Sequence, residues 1–182
     1  MPLSIRELGP DESVAPLTDL LHRAYARLGA MGLNYTAVAQ DDDVTARRAR
    51  KGTCLVAEVD GRLVGTLALH GRDEESEAAW FRREDVAVLE QFAVDPDVQG
   101  RGVGTALIDE AERRAGASGA AFAVGDTASP ARHLIALYEA RGYEIVDTVQ
   151  WPGKVYRSVV LAKRLRDADE AERDAPRRGR RR

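Results

Sequence analysis

Val86-Ala87-Val88-Leu89-Glu90-Gln91-Phe92-Ala93-Val94-Asp95-Pro96-Asp97-Val98-Gln99-Gly100-Arg101-Gly102-Val103-Gly104 is the stretch on which the reading of the whole fold turns. Residues 86–94 are rich in β-branched and apolar side chains and predict a central, largely buried strand. Asp95-Pro96 ends it. Beyond the glycines, Val103, Leu107, Ile108 and Ala111 fall on one side of a helix over 102–115, opposite Asp109, Glu110, Glu112 and Arg113. A strand that passes through a glycine-rich turn straight into a helix is suited to an anion. Glycine lets the backbone approach a phosphate closely, the first amides of the helix point outward, and the helix dipole adds a favourable potential. Arg101 can add a charge-assisted contact. Glycine spacing alone fits a tight strand-to-helix turn equally well.

Working outward, the unit around 86–124 is a strand, a helix and a second strand over 120–124, which predicts the parallel centre of a sheet. On its N-terminal side, residues 5–8 alternate as a first strand. Val14, Leu17, Leu21, Ala24, Tyr25 and Leu28 then follow at helical spacing. Asp41-Asp42-Asp43 ahead of Arg47, Arg48 and Arg50 has the charge order that a helix dipole favours, and predicts a short second helix with the aspartates as its cap. Strands over 54–59 and 63–69 flank Asp60-Gly61, a hairpin signal. The charged stretch 72–85 reads as a loop with a short helical piece. On the C-terminal side, Ser129-Pro130 predicts an N-cap and first-turn proline for a helix to about Arg141, and Gly142 a stop. Strands over 143–149 and 155–161 close the fold. The order predicts a single α/β domain over 1–165, with a mixed sheet of about seven strands flanked by about four helices. Residues 166–182, charged and ending in an arginine run, are expected to be disordered.

Composition limits the function. With 182 residues, 44% of them hydrophobic, one sizeable core is expected. No apolar run is long enough to span a bilayer and the start Met1-Pro2-Leu3-Ser4 lacks a leader pattern, so a cytoplasmic location is expected. The single cysteine, Cys54, excludes an intrachain disulfide and reads as a core residue, and no metal is implied. A net charge of −3 gives no general basic field for nucleic acid, which leaves only the arginine-rich tail, diluted by its acidic neighbours, as a binder of that kind. A dinucleotide fingerprint fits poorly, since it needs Gly or Ala at Thr105 or Leu107, and a P-loop lacks its lysine.

The loop resembles that of the GNAT superfamily of acetyltransferases. Its Q/R-x-x-G-x-G/A signature is matched by Gln99, Gly102 and Gly104, after a strand ending in Val94 and followed by Pro96. Downstream, Leu137-Tyr138-Glu139-Ala140-Arg141-Gly142-Tyr143 is similar to the family's L-Y-x-x-x-G-F/Y segment. The resemblance implies a GNAT-type fold over nearly all of 1–165 and transfer of an acetyl group from acetyl-CoA to a primary amine. By the same resemblance, the residues Gln99, Gly100, Arg101, Gly102, Val103 and Gly104 would hold the coenzyme A pyrophosphate. The strand near Phe92 and Val94 would pair with the pantetheine arm, the Val94 amide would polarise the thioester carbonyl, and Tyr138 would protonate the departing thiolate. The family often has asparagine seven residues before that tyrosine. Here Ala131 stands there, with Ser129 as a substitute for the contact.

An amine acceptor must lose a proton before it attacks, which calls for a base. Glu90, a carboxylate in an apolar strand, is a candidate base or substrate-orienting residue, against a structural ion pair. A familiar base position of the family instead falls on Val88. His70 is a lesser candidate, and His22 and His133 are expected to face solvent. Asn34, Tyr35, Trp80, Phe81 and Trp151 fall in loops that border the acceptor pocket in the family. The partners implied are a small-molecule or peptide amine and, as an oligomer, a homodimer. The competing readings are a longer acyl-CoA, transfer to a hydroxyl, and a non-catalytic acyl-CoA sensor or interaction module.

Overall fold

A computed structural model describes residues 2–165. The expectation for the tail lies outside the described residues. The elements run β1 (Leu3–Glu7), α1 (Ala15–Ala30), α2 (Asp42–Ala49), β2 (Thr53–Val59), β3 (Arg62–His70), β4 (Val86–Val94), α3 (Val103–Ala117), β5 (Phe122–Ala128), α4 (Arg132–Glu139), β6 (Glu144–Val149) and β7 (Ser158–Arg164). The seven strands form one sheet in the order β1-β2-β3-β4-β5-β7-β6. Only β4 and β5 pair in parallel, with α3 as their crossover. Among the described residues no helix is long and apolar enough to cross a membrane.

Each face of the sheet has its own core. Leu107, Ile108 and Ala111 of α3 pack on Leu55, Leu67 and Leu89 on one side. On the other, Leu17, Leu20 and Leu21 of α1 pack on Cys54, Val56 and Ala93. Period-2 alternation along the strands supplies both layers. Gly65 lets α3 approach β3 closely, because a Cβ there would lie 2.8 Å from Leu107 Cδ1. Asp41 caps α2 as its sequence predicts, its Oδ1 accepting from the Val44 amide at 2.8 Å. Asp60 and Gly61 both take positive φ in the β2–β3 turn.

One irregularity opens the sheet. Between Ala68↔Glu90 and Thr66↔Ala93 the register of β3 on β4 slips by a residue, and Gln91 sits at φ 52°. Such a bulge bends the strand and increases its twist. Strand β4 leaves β5 there: their pairing stops at Val88↔Val124, while β5 continues on β7 to Ala128↔Ser158. The two strands therefore diverge beyond the bulge.

Three of the boundaries that differ from the sequence reading bear on the cleft and its surroundings. β5 runs four residues past Val124, because β7 still supplies its partners after β4 has turned away. β7 begins at Ser158, not at residue 155. α4 begins at Arg132 with Ala131 as an N-cap that makes no side-chain bond, so Ser129 is not its cap. The Ser129 hydroxyl donates to the Arg157 carbonyl at 2.8 Å, as its amide does, and fastens the end of β5 to the start of β7.

Candidate active site

The diverging strands, α1, the loop after β4 and α4 enclose an open cleft of about 790 Å³. Its β4 wall is made by backbone. Asp95 N donates to Val64 O on β3. By the alternation of a strand, the Val94 amide then faces the opposite edge, into the cleft. The Phe92 carbonyl on that edge accepts the Tyr25 hydroxyl at 3.0 Å, and the Val94 carbonyl accepts Gln99 Nε2 at 3.0 Å. The Gln99 side chain thus folds the loop back onto the strand. Asp95, completely buried, fixes the start of the loop: it accepts from Arg62, Arg23 and the Asp97 amide at 2.7, 3.0 and 3.0 Å.

Gly100 and Gly102 sit at φ 75° and 86°, a conformation that glycine adopts at least cost, and a Cβ at either would meet only open space. Gly104 is different. A Cβ there would lie 3.0 Å from Phe92 Cζ, so glycine keeps the cleft floor clear beside that ring. The amides of Val103, Gly104 and Thr105, in the first turn of α3, have no intrahelical acceptor. At the far wall, Tyr138 of α4 stacks edge-on against Phe92, with centroids 6.4 Å apart, and Tyr143 at 5.4 Å. Its hydroxyl makes no hydrogen bond to the described residues and lies on the cleft. Burial, with Tyr25 and Asp126 nearby, pushes its ionisation well above the ordinary phenol range, so the hydroxyl stays protonated and can donate a hydrogen bond into the cleft.

The other end of the cleft is lined by side chains of β5. Asp126 faces it from the extension of β5, its Oδ2 accepting from Trp151 Nε1 at 2.8 Å. Burial raises its pKa despite that bond, and nearby Glu90 adds to the effect. Glu90 itself points to the α2 side. Its carboxylate takes His70 Nε2 at 3.0 Å, Arg48 Nε at 3.3 Å and Lys51 at 3.9 Å. Burial alone would raise it, but the His70 hydrogen bond and the charges of Arg48 and Lys51 prevail and hold it at about 2. The other His70 nitrogen lies 2.6 Å from the Gly71 carbonyl.

This geometry agrees with what the chain is similar to. The model of the acetyltransferase (GNAT) family matches residues 17–143, well over half of the sequence. The chain belongs to the GNAT family. It is an acyl-CoA-dependent N-acetyltransferase, with acetyl-CoA as the acetyl donor. The S-(2-succino)cysteine N-acetyltransferase of Bacillus subtilis is 29% identical over 164 residues, 87% of this chain and 94% of that one. Among solved folds, the ribosomal-protein-S18-alanine N-acetyltransferase of Escherichia coli superposes with TM-score 0.69 at 17% identity, covering 92% of this chain and 96% of the other. A GNAT acetyltransferase of Elizabethkingia anophelis with acetyl-CoA bound superposes with TM-score 0.65 at 15% identity, covering 90% and 98%.

Within this GNAT chain, Phe92, Val94, Gln99, Gly100, Gly102, Gly104 and Tyr138 all border one cleft. Three other sequence candidates do not. Val103 is buried in the core under α3, which leaves only its amide for a ligand, Arg101 is exposed, and Glu90 lies among the cations of the α2 side. Ser129 is occupied by Arg157, so it offers no replacement for the asparagine that Ala131 lacks. His133 is exposed on the cleft rim, whereas His22 is half-buried against the Gln40 carbonyl at 2.8 Å. Sequence reasoning missed Asp126, Thr105 and Arg27. For Asp126 the only signal was a polar residue just past an apolar run.

Proposed function

We propose that the chain acetylates a primary amine by direct attack within a ternary complex, with Asp126 as the base and Tyr138 as the acid. The observation that carries this reading is the placement of a half-buried carboxylate and a phenol without a hydrogen-bond partner among the described residues on one cleft, beside the inward-facing amide of Val94. Acetyl-CoA supplies the activated acyl group. The residues present suit it: open space over Gly100 and Gly102, a floor kept clear at Gly104 and unpaired amides of α3 form a cradle for a pyrophosphate. Arg101 adds charge at its rim. Phe92 and Val94 present a strand edge to the pantetheine arm, and the Val94 amide meets the negative charge that develops on the thioester oxygen.

Asp126 removes a proton from the incoming ammonium, directly or through a water. Burial makes it a better base than an exposed aspartate. As the new C–N bond forms and the C–S bond breaks, Tyr138 donates its proton toward the sulfur, whose thiol resembles cysteine with a pKa of about 8.5, and regains one from the second proton that the attacking nitrogen sheds. Glu90 is held in the scaffold rather than acting as the base, because at a pKa of about 2 it binds protons weakly and is tied to Arg48, Lys51 and the His70 ring away from the cleft. The work takes place in the cytoplasm, without a metal. The Bacillus subtilis relative and the Escherichia coli fold neighbour are named for two acceptor types, a modified amino acid and an alanine of a ribosomal protein.

The test is paired. Tyr138→Phe keeps the ring, so acetyl-CoA affinity should survive while kcat falls by roughly ten- to a thousand-fold. Asp126→Asn should lose most rate at low pH and approach the wild type as the free amine becomes abundant. Wild-type rates in both variants, with chemistry rate-limiting, would reject the assignment.

A further inference from the structure

Two segments far apart in sequence are stitched together at the Asp126 end of the cleft. Asn34, just after α1, donates from Nδ2 to the Gly153 carbonyl at 2.8 Å and accepts from the Val155 amide on Oδ1 at 3.0 Å. It imitates a strand edge with one side chain. Lys154 returns the contact, its ammonium donating to the Asn34 carbonyl at 2.7 Å and to Thr36 Oγ1 at 3.0 Å. Both segments are also anchored to the same part of β5. The Tyr35 hydroxyl accepts from the Ala128 amide at 2.8 Å and lies 2.8 Å from Thr127 Oγ1, while Trp151 bonds Asp126 at 2.8 Å. The loop between β6 and β7 and the loop after α1 therefore form a closed arch beside the carboxylate.

The arch also occupies the backbone. Ser129 N donates to Arg157 O on the β7 side, so by alternation the Ala128 amide faces the cleft. Tyr35 takes that amide. An extended peptide that added itself as a strand beside β5 would need this donor and would have to part the arch. A small molecule needs neither.

We propose that Asn34 and Lys154 form a latch that restricts the acceptor to a compact free amine, such as a single amino acid, and excludes polypeptide N-termini. This rests on the transfer reading above. The test uses the full chain, acetyl-CoA, the free amino acid that turns over best in a panel containing S-(2-succino)cysteine, and a pentapeptide beginning with that residue. The wild type should prefer the free amino acid by about a hundred-fold or more in kcat/KM, a ratio that sites reach by leaving wrong groups unpaired. Asn34→Ala and Lys154→Ala should each narrow the preference by about ten-fold, mainly through KM, with acetyl-CoA Kd and Tm little changed. A wild type that acetylates both acceptors alike, or a preference unmoved in both variants, overturns the latch and leaves the transfer reading intact. Acetyl-CoA binding with no amine acetylated overturns the transfer reading, and the latch with it.

Discussion

The two ends of the cleft are built by different means. The proposed cofactor end comes from one continuous segment, Val94 to Thr105, and offers backbone amides and absent side chains. The proposed acceptor end has Tyr35 and Asp126 on the cleft and Asn34, Trp151 and Lys154 behind them, drawn from three separate stretches and joined by side-chain hydrogen bonds. A site made of consecutive backbone tolerates little change in its glycines and leaves a local signature. A site made of scattered side chains can be rebuilt one residue at a time without disturbing the fold.

The largest effect that should sharpen this contrast is at Gly104. Gly104→Val places methyl groups against Phe92 Cζ, already 3.0 Å from the first added carbon, and narrows the floor beneath the ligand. Valine is tolerated in a helix, so the fold should persist, with Tm lowered by the crowding against Phe92. Acetyl-CoA affinity should fall by on the order of ten- to a hundred-fold, about 1.4 to 2.8 kcal/mol. Calorimetric titration measures it. An unchanged Kd in the folded variant would mean that the cofactor end is not made of close backbone approach.

The same contrast explains what was legible. The strand, loop and helix over 86–115 announce themselves because apolar period, glycine and amphipathic stripe lie in sequence order. Asp126-Thr127 does the opposite: its residues are polar and line the cleft, and for that reason they read as the end of a strand. Val155 and Tyr156 mislead in reverse. They are apolar and alternate like a strand, yet Val155 is 71% exposed on the outside of the arch and Tyr156 is turned against Tyr35, with centroids 5.1 Å apart. Ser129-Pro130 has the letters of a cap, but pairing with Arg157 outcompetes the helix end. In each case a contact distant in sequence decides.

A middle-sized effect tests whether Glu90 belongs to the chemistry or to the scaffold. Its folded pKa of about 2 lies below the ordinary 4.5, so its contribution to stability is complete above pH 4.5 and is lost as pH falls from there toward 2. Glu90→Gln should therefore cost stability at neutral pH, no more than about 3 kcal/mol from a shift of this size. The gap between variant and wild type should close as acid is added. Denaturant melts across pH measure this. In activity, the pH profile of kcat/KM should keep its shape between pH 6 and 9. A profile that is depressed at low pH and rejoins the wild type at high pH would make Glu90 the base and displace Asp126.

The smallest effect is expected at Arg101, and its smallness is the point. Arg101 is exposed at the crest of the glycine loop and makes no hydrogen bond to the described residues. If the cofactor end depends on amides and on space, deleting this side chain removes only a screened, solvent-facing charge from the rim. Such contacts contribute on the order of 0.2 to 1 kcal/mol. Arg101→Ala should accordingly weaken acetyl-CoA by no more than about five-fold at low salt. The deficit should shrink further near 1 M salt, where the Debye length falls to about 3 Å. Loss of a helix-terminal amide cradle would show no such salt dependence, because those donors are fixed by α3 and act in direct contact. The comparison of Arg101→Ala with Gly104→Val at two ionic strengths thus separates side-chain charge from backbone approach within one loop. A large, salt-resistant loss at Arg101 would place its guanidinium in direct contact with a phosphate and make the cofactor end, like the acceptor end, a site of side chains.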